Sequence, residues 1–564
     1  MEKDKIIIYQ VMTRLFGNDN DHCQTDGTLA QNGCGKMADF TPRALQEIKA
    51  LGATHVWYTG LLEHATQTDY RRYGIRPDHP AVVKGKAGSP YAIKDYYDID
   101  PDLANDVPNR MREFDNLVRR THQAGLKVVI DFVPNHVARQ YHSDACPNGT
   151  ADLGAADDQT QAFSPYNNFY YIPGTPFQGQ FDLRAGTGEA YVEQPARATG
   201  NNRFDAYPTR DDWYETVKLN YGVDYTNGGT CHFDPIPDTW EKMRDILLFW
   251  AARHVDAFRC DMAEMVPVEF WEWVIPQIKA QHPAVVFIAE VYNPAEYRNY
   301  IFRGHFDYLY DKVGLYDTLR GITCGYESAT AITRCWQSLN GIDQHMLHFL
   351  ENHDEQRLAS EFFAGNGRKG IPAMIVTACL NTNPVMIYFG QELGEQGMDA
   401  EGFSGRDGRT TIFDYWSVPS IRRWRNRGKF GESHLTSEES ALRAFYVRLL
   451  GLCHTEAALR EGRFFDLTYA NINGWRFDEH RQFAFLRQAG HELILAIVNF
   501  SDTPAHVAVN IPTHAFDYLG IPTIEAATAV DLLGGQEETI SLSPYRAAET
   551  HLEPMSGKLL KICF

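Results

Sequence analysis

Two short apolar segments near the middle of the chain each end on a carboxylate. The segment DAFRCD ends on Asp261, and the segment VVFIAE ends on Glu290. The residues between them carry apolar side chains at helical spacing, so we predict a strand, a covering helix and a second, parallel strand. In such a unit both strands end at the same edge of the sheet, which places the two acids side by side. In a barrel of parallel strands, that edge is where catalytic groups collect.

Two further segments place polar residues at predicted strand ends. The motif DFVPNH covers residues 131–136, and the motif ENHD covers residues 351–354. Arg259 precedes Asp261 by two positions, so both side chains lie on the same face of the strand. A guanidinium group there can hold the neighbouring carboxylate ionised and fix its orientation. At least three acids therefore meet at one end of the predicted sheet: Asp261, Glu290 and Asp354.

Eight strand-like segments alternate with helical segments through most of the chain. This alternation is typical of a parallel sheet, and eight repeats predict an α/β fold, the (β/α)8 TIM barrel. Two helix boundaries are recognisable, because Thr41-Pro42 is a typical helix start and Gly125 a typical helix end. The predicted strands lie at residues 6–12, 54–62, 126–136, 256–261, 285–290, 306–311, 346–354 and 384–390.

The alternation is interrupted once and later stops. Residues 137–235 are irregular and rich in Gly, Pro, Asn, Asp and Tyr, and a connection of this length predicts an inserted subdomain after the third strand. From residue 462 onward, short alternating or β-branched segments predict a C-terminal all-β antiparallel sandwich. We therefore predict a barrel of residues 1–136 and 236–461, an insertion of residues 137–235 and a sandwich of residues 462–564.

The 564-residue chain is acidic. Its 53 Lys and Arg residues against 73 Asp and Glu residues give a formal net charge of −20. This excess argues against a nucleic-acid partner, because nucleic acids are bound by basic surfaces, and a neutral substrate fits it better. No apolar segment is long enough to span a bilayer. The sequence does not define an oligomeric state.

The start of the sequence bears on the compartment. The segment MEKDKIIIYQV enters a strand-like run without the apolar core or the cleavage site of a signal peptide. We therefore expect a cytoplasmic protein, or a periplasmic or secreted one whose signal peptide has been removed.

The ten cysteines are scattered along the chain, and no C-x-x-C pair predicts a zinc site. Cys260, Cys379 and Cys453 lie in apolar segments and are expected to be core thiols. Six others lie in or near loops and could pair in an oxidising compartment, as Cys23 with Cys34, Cys146 with Cys231, and Cys324 with Cys335.

Four of the motifs, taken in order, resemble those of a known family. DFVPNH, DAFRCD, FIAEVY and FLENHDE stand at the ends of the third, fourth, fifth and seventh predicted strands. In sequence and in order they are similar to the four signature regions of the α-amylase superfamily, glycoside hydrolase family 13. The resemblance extends over the barrel, the insertion, which would be the family's domain B, and the C-terminal sandwich. Four matches at the right strands make this resemblance specific.

The resemblance implies a retaining glycoside hydrolase with three catalytic carboxylates. Asp261 would be the nucleophile that forms a covalent glycosyl-enzyme intermediate. Glu290 would protonate the leaving glycosidic oxygen and then deprotonate the incoming water. Asp354 would hold hydroxyl groups of the distorted sugar and stabilise the oxocarbenium-like transition state. Asp131 is expected to be structural and to form hydrogen bonds at the barrel end.

The resemblance also implies residues that bind the sugar at the point of cleavage, the −1 subsite. Tyr91 would stack beneath this sugar, although Pro90 replaces the usual glycine before it. Arg357 resembles an arginine that exo-acting relatives use, and a surface ion pair is an equally good interpretation. The implied binding residues are Tyr91, His136, Arg259, His353 and Arg357.

The implied chemistry requires no cofactor, but members of the family can hold a structural calcium ion. One ligand is the asparagine before the histidine of the first signature region, which matches Asn135. Another is commonly a backbone carbonyl at the position of Met265. The remaining ligands come from the insertion, where the sequence defines no match.

The implied function is cleavage of α-1,4-glucosidic bonds in oligosaccharides or polysaccharides derived from starch or glycogen. An exo-α-glucosidase and a 4-α-glucanotransferase of the same family are alternatives. Glu264 and Met265 replace the Lys-His pair of many endo-amylases, which weakens the case for endo action on long amylose. A catalytically inactive glycan-binding accessory protein is a further alternative, but such proteins lose at least one of the three acids.

Overall fold

The computed structural model describes residues 5–564 and contains a closed barrel of eight parallel strands, which confirms the predicted fold class. The order around the barrel is β1-β8-β7-β6-β5-β4-β3-β2, so each strand lies beside its neighbours in sequence and the last closes on the first. The strands are β1 (Ile7–Met12), β2 (His55–Thr59), β3 (Lys127–Phe132), β4 (Ala257–Cys260), β5 (Val286–Ala289), β6 (Tyr308–Tyr310), β7 (Met346–Phe349) and β8 (Val385–Tyr388).

Helices cover the outside of the barrel. Thr41 caps the helix Pro42–Ala50, since its hydroxyl oxygen accepts a hydrogen bond from the backbone N–H of Ala44 at 3.2 Å. Gly125 follows the helix Arg110–Gln123 with a φ of 74°, a conformation that glycine adopts without strain. No helix in the described part of the chain is long and apolar enough to cross a bilayer. The other α-helices before the C-terminal sheet are Thr13–Phe16, Leu29–Asn32, Asp238–Ala251, Val268–Gln281, Asp317–Thr323, Ala331–Leu339, Ile371–Cys379, Pro419–Arg425, Ser437–Thr455 and Ala457–Arg460, with π-helices at Asn299–Arg303 and Lys312–Tyr316.

Two connections at the carboxyl end of the barrel contain short antiparallel strand pairs. After β2, the strand Leu62–His64 pairs with the strand Ile93–Ile99, a hairpin that the sequence did not predict. The insertion after β3 is mostly irregular, as expected. Its strand pairs are His136–Ala138 with Thr216–Lys218, Tyr171–Ile172 with Ala196–Arg197, and Val223–Asp224 with Thr230–Cys231.

The C-terminal region forms antiparallel sheets around its own apolar core, as predicted. Three of its elements were not predicted: the strands Ile524–Asp531 and Ala548–Leu552 and the helix Thr513–Leu519. The six-stranded sheet contains, in spatial order, Arg463–Asp466, Gln482–Ala489, Glu492–Asn499, Ser556–Cys563, Ile524–Asp531 and Glu537–Leu542, and a second sheet pairs Ala505–Val509 with Ala548–Leu552. The predicted domain boundaries stay a prediction, and residues 1–4 of the predicted barrel lie outside the described residues.

All ten cysteines are free, so none of the three suggested pairs is joined by a disulfide bond. Cys260, Cys379 and Cys453 are completely buried, which confirms the prediction that they are core thiols.

The strand register places the two central acids together. Arg259 on β4 lies opposite Asp131 on β3 and opposite Ile288 on β5. The backbone N–H of Glu290 donates to the carbonyl of Cys260 at 3.1 Å. Asp261 and Glu290 therefore leave adjacent strands at the same level.

The helix Val268–Gln281, which connects β4 to β5, is fixed by Trp271. This side chain is completely buried, and its ring lies 4.8 Å from that of Phe306, centroid to centroid. Its indole N–H donates to the carbonyl of Ala263 at 3.2 Å. Trp273 is half-buried and packs 5.7 Å from Trp240. Both tryptophans thus pack the helix against neighbouring segments.

We expect Trp271→Ala to lower the free energy of unfolding by about 3–5 kcal/mol, because it removes a large buried ring and leaves a cavity. Trp475→Ala is the matched control: its side chain is 62% exposed, so we expect a change within about 0.5 kcal/mol. Chemical denaturation of both variants measures the difference. Equal stability of the two would contradict the packing described for Trp271.

Candidate active site

Arg259 joins the two central carboxylates. Its side chain is completely buried, and its Nη1 donates to Oδ1 of Asp261 while its Nη2 donates to Oε2 of Glu290, both at 2.7 Å. The backbone N–H of Met262 donates to the same Glu290 oxygen at 2.9 Å. One guanidinium group can bridge two carboxylates only when they are neighbours. Asp261 and Glu290 are therefore neighbours at the carboxyl end of the barrel.

The two bridged carboxyl groups are electrostatically coupled. Burial raises the pKa of Asp261 well above its usual range, because desolvation disfavours the charged form. The positive charge of Arg259 opposes this shift, and the negative charge of Glu290 adds to it. Arg259 is thus the group that works against protonation of the buried Asp261.

Asp354, the third acid, lines the same cavity as the other two. Nε2 of His353 lies 3.0 Å from Oδ2 of Asp354, and the side-chain nitrogen of Gln10 lies 2.8 Å from Nδ1 of the same ring. The ring of His353 thus lies between Gln10 and Asp354. Burial alone would raise the pKa of Asp354, but His353 and the charges of Arg259 and Arg409 outweigh it and lower the pKa. Asp354 is therefore held ionised.

Tyr91 lies on the wall of the cavity. Its ring stacks on the ring of His353, with centroids 5.0 Å apart and planes 23° from parallel. Its hydroxyl donates to Asp131 at 3.4 Å, and the indole N–H of Trp57 donates to the other Asp131 oxygen at 2.9 Å. These contacts agree with a structural role for Asp131, which holds the aromatic wall in position.

His136 also lines the cavity. Burial lowers its pKa to about 3, so the ring is neutral over the ordinary pH range. The amide nitrogen of Asn135 lies 3.0 Å from Nδ1, which must therefore accept, and the ring proton is on Nε2. The ring of Trp213, from the insertion, lies 5.2 Å away. His136 is thus prepared to donate one hydrogen bond to a bound hydroxyl group.

The residues that match the family's calcium site hold a lysine instead. Nζ of Lys218 donates to Oδ1 of Asn135 and, at 3.3 Å, to the backbone carbonyl of Met265. These oxygens are the two calcium ligands that the resemblance implies. Burial lowers the pKa of Lys218 to about 7. The donor set does not fit a calcium ion while the amino group of Lys218 occupies it.

Arg357 does not form the surface ion pair considered as an alternative, because it is completely buried. Its guanidinium donates to Glu351 and to the carbonyl of Phe389, both at 2.9 Å, and to the hydroxyl of Thr410 at 2.9 Å. Arg357 is not among the residues that line the cavity. Its role in sugar binding stays a prediction, and its visible contacts are structural.

Tyr292 is a site residue that the sequence analysis missed. Its hydroxyl donates to Oε1 of Glu290 at 2.5 Å, and its ring lines the cavity. The backbone N–H groups of Tyr292 and Asn293 both donate to Oε2 of Glu264 at 3.0 Å. Glu264 therefore positions Tyr292, which in turn orients Glu290. The sequence did contain a signal for this role, because Tyr292 lies in the FIAEVY motif, two residues after Glu290.

The cavity has a volume of about 380 Å³ and contains the three acids in one place. Its walls come from the barrel, the insertion and the segment after β8. A volume of this size is typical of a ligand site. Of the predicted residues, Tyr91, His136, Asp261, Glu290 and Asp354 line the cavity, and Arg259, His353 and Arg357 do not. The lining also contains Lys84, Ser89, Trp213, Glu215, Thr216, Met262, Tyr292, Glu355, Phe403, Ile412 and Phe413.

Comparisons with known proteins agree with this fold. A family model described as the α-amylase catalytic domain matches residues 18–415. α-Amylase 3 of Dictyoglomus thermophilum is 26% identical over 346 residues, which is 58% of this chain and 60% of that protein, less than two thirds of its length. Neopullulanase 2 of Thermoactinomyces vulgaris is 20% identical over 556 residues, 96% of this chain and 76% of that protein. The crystal structure of a Geobacillus thermoleovorans α-amylase complexed with acarbose shares the fold, with a TM-score of 0.62, 17% identity and full coverage of both chains.

We expect Lys218→Ala to lower the free energy of unfolding by roughly 1–3 kcal/mol, because two buried oxygens lose their donor. Added calcium should raise the melting temperature of this variant more than that of the wild type, since the position becomes free. Thermal melts with and without calcium measure both effects. Lys429→Ala, at an exposed position, is the control. If Lys218→Ala had the same stability and the same response to calcium as this control, the role of Lys218 at the Asn135 and Met265 oxygens would be contradicted.

Proposed function

Because this chain belongs to the α-amylase family of glycoside hydrolases, we propose that it cleaves α-1,4-glucosidic bonds of starch- or glycogen-derived saccharides with retention of configuration. The observation that carries the proposal is the bridge from Arg259 to both Asp261 and Glu290. The relatives named as an α-amylase and a neopullulanase support an α-glucan as the substrate. The acarbose complex of the structural neighbour supports it as well.

In the first step, an oxygen of Asp261 attacks the anomeric carbon while Glu290 gives its proton to the leaving glycosidic oxygen. The bond between sugar and leaving group breaks, and an ester between Asp261 and the sugar forms. In the second step, Glu290 takes a proton from water, which attacks the same carbon and releases Asp261. The hydrogen bond from Tyr292 holds Glu290 in a fixed orientation through both steps.

The cavity offers matching contacts for a neutral sugar. Tyr91 provides a flat face for stacking, and Nε2 of His136 provides a donor. Asp354 is ionised and can accept hydrogen bonds from two sugar hydroxyls while its charge stabilises a developing oxocarbenium ion. This charge distribution favours the transition state over the uncharged substrate, as catalysis requires.

A 4-α-glucanotransferase is a second candidate, and the aromatic lining supports it. Tyr292, Phe403 and Phe413 face the cavity and can hold an acceptor sugar in place of water. Glu264, which replaces a sugar-contacting lysine of many endo-amylases, is bound to backbone N–H groups instead. Chromatography of the products of maltotriose distinguishes these activities, because hydrolysis gives maltose and glucose whereas transfer gives longer chains. An exo-α-glucosidase would release glucose from both maltose and maltotriose.

We expect Glu290→Gln to slow hydrolysis of maltoheptaose by about 10²–10⁴-fold, since protonation of the leaving group is lost. Maltosyl fluoride has a leaving group that needs little protonation, so this variant should retain most of its first step on that substrate. Asp261→Asn should lose activity on both substrates, by at least about 10⁴-fold, because the nucleophile is missing. Reducing-sugar release and fluoride release measure the two reactions.

Two outcomes would contradict these roles. An equal loss of activity on maltoheptaose and on maltosyl fluoride in Glu290→Gln would contradict the role of Glu290 as general acid. No activity of the wild type on either substrate, with retained binding of maltoheptaose, would favour the inactive glycan-binding protein instead.

A further inference from the structure

Three buried carboxylates meet on the hairpin after β2, outside the catalytic cavity. Glu63 lies on the strand Leu62–His64, and Asp95 and Asp98 lie on the strand Ile93–Ile99. Glu63 and Asp95 are directly paired across the two strands. Their side-chain exposures are small, since the residues are 1%, 0% and 6% exposed. One oxygen from each lies within 4.8 Å of the others.

Glu63 is the member of this cluster without hydrogen bonds. Both of its carboxylate oxygens are buried, and neither accepts a hydrogen bond from the protein. Its nearest charged partner is Nη2 of Arg110, at 3.9 Å, and that nitrogen is already 2.5 Å from Asp98. Lys94 is paired with Asp78 at 3.0 Å. A buried carboxylate left in this state is costly unless a further charge or proton compensates it.

Asp95, in contrast, is fixed by the protein. Its Oδ1 accepts from the hydroxyl of Ser143 at 2.6 Å and from the backbone N–H of Tyr97 at 2.8 Å. Its Oδ2 accepts from the backbone N–H of Ala145 at 3.0 Å. Asp95 is thus held in place by the protein, whereas Glu63, with an oxygen within 4.8 Å of those of Asp95 and Asp98, has no hydrogen-bond donor.

We propose that Glu63, Asp95 and Asp98 bind a divalent hard cation, with calcium as the preferred ion. All donors are carboxylate oxygens, which suit calcium or magnesium and not a zinc ion. Two ligands bound to one calcium ion at about 2.4 Å can be at most about 4.8 Å apart, and this cluster meets that limit. Magnesium needs shorter bonds and stricter octahedral geometry, which a set of buried, fixed carboxylates meets less well.

The ion at this position would connect two parts of the chain that shape the sugar site. Asp95 is tied to the first part of the insertion through Ser143 and Ala145. Tyr91, on the wall of the catalytic cavity, lies two residues before the strand that carries Asp95 and Asp98. This cation site is separate from the position of Lys218.

Calcium binding to the full chain tests the proposal. Protein stripped with a chelator and desalted is titrated with calcium chloride in a calorimeter, and its melting temperature is measured in parallel. We expect one calcium ion per chain at this site and a rise in melting temperature of a few °C at saturating calcium. Glu63→Gln should bind at least 10-fold more weakly and lose the rise. Glu525→Gln, on an exposed strand position, should keep both and is the matched control.

Three results would overturn the proposal. The first is that the wild type binds no calcium and Glu63→Gln has a melting temperature equal to or higher than that of the wild type. This would mean that a proton on Glu63 compensates the cluster. The second is that magnesium binds in preference to calcium. The third is that Glu63→Gln binds calcium as tightly as the wild type does, which would place the ion elsewhere. Asp98→Asn serves as a second variant with the same expected loss if Glu63→Gln does not fold.

Discussion

The bridge that Arg259 forms between Asp261 and Glu290 is the interaction on which the site depends. Three ionisable groups are removed from water here, and the desolvation cost of doing so is offset only when the geometry is good and every polar atom is paired. The parallel register of β3, β4 and β5 provides this geometry, because it fixes the level at which each side chain leaves its strand. The barrel can thus be understood as a support that holds two acids within reach of one bond.

Lys218 connects the segments that surround this bridge. Lys218 binds the oxygens of Asn135 and Met265, and it lies on a strand that pairs with the strand containing His136. One lysine therefore connects the insertion to the barrel and, through Asn135, orients the histidine that faces the cavity. A substitution that changes how the insertion is attached to the barrel is therefore expected to change the orientation of His136 in the sugar site.

The parts of the site that could be predicted are those set by local rules. Strand ends of a parallel barrel share one face, so Asp261, Glu290 and Asp354 follow from the positions of three strands. Arg259 follows from the alternation of side chains along β4. The resemblance added roles to these residues, but positions alone already indicated where they meet.

The parts that could not be predicted depend on contacts between distant segments. Lys218 contacts Asn135 across 83 positions of an irregular insertion, and no spacing rule covers that distance. Arg357 is three residues from Asp354, yet its direction is set by Glu351 and Thr410 and not by sequence spacing. The strand Ile524–Asp531 contains three Ala residues and one Glu, which have low β propensity, and it forms because partner strands flank it on both sides.

The central claim is that Asp261 and Glu290 act from neighbouring strand ends on a single bound sugar. The anomer released first from maltoheptaose, followed by proton NMR before mutarotation, tests this claim most directly. Two successive displacements at one carbon must deliver the α-anomer at the start of the reaction. Initial appearance of the β-anomer would mean a single displacement by water, and the two carboxylates could not then have the roles that their shared arginine indicates.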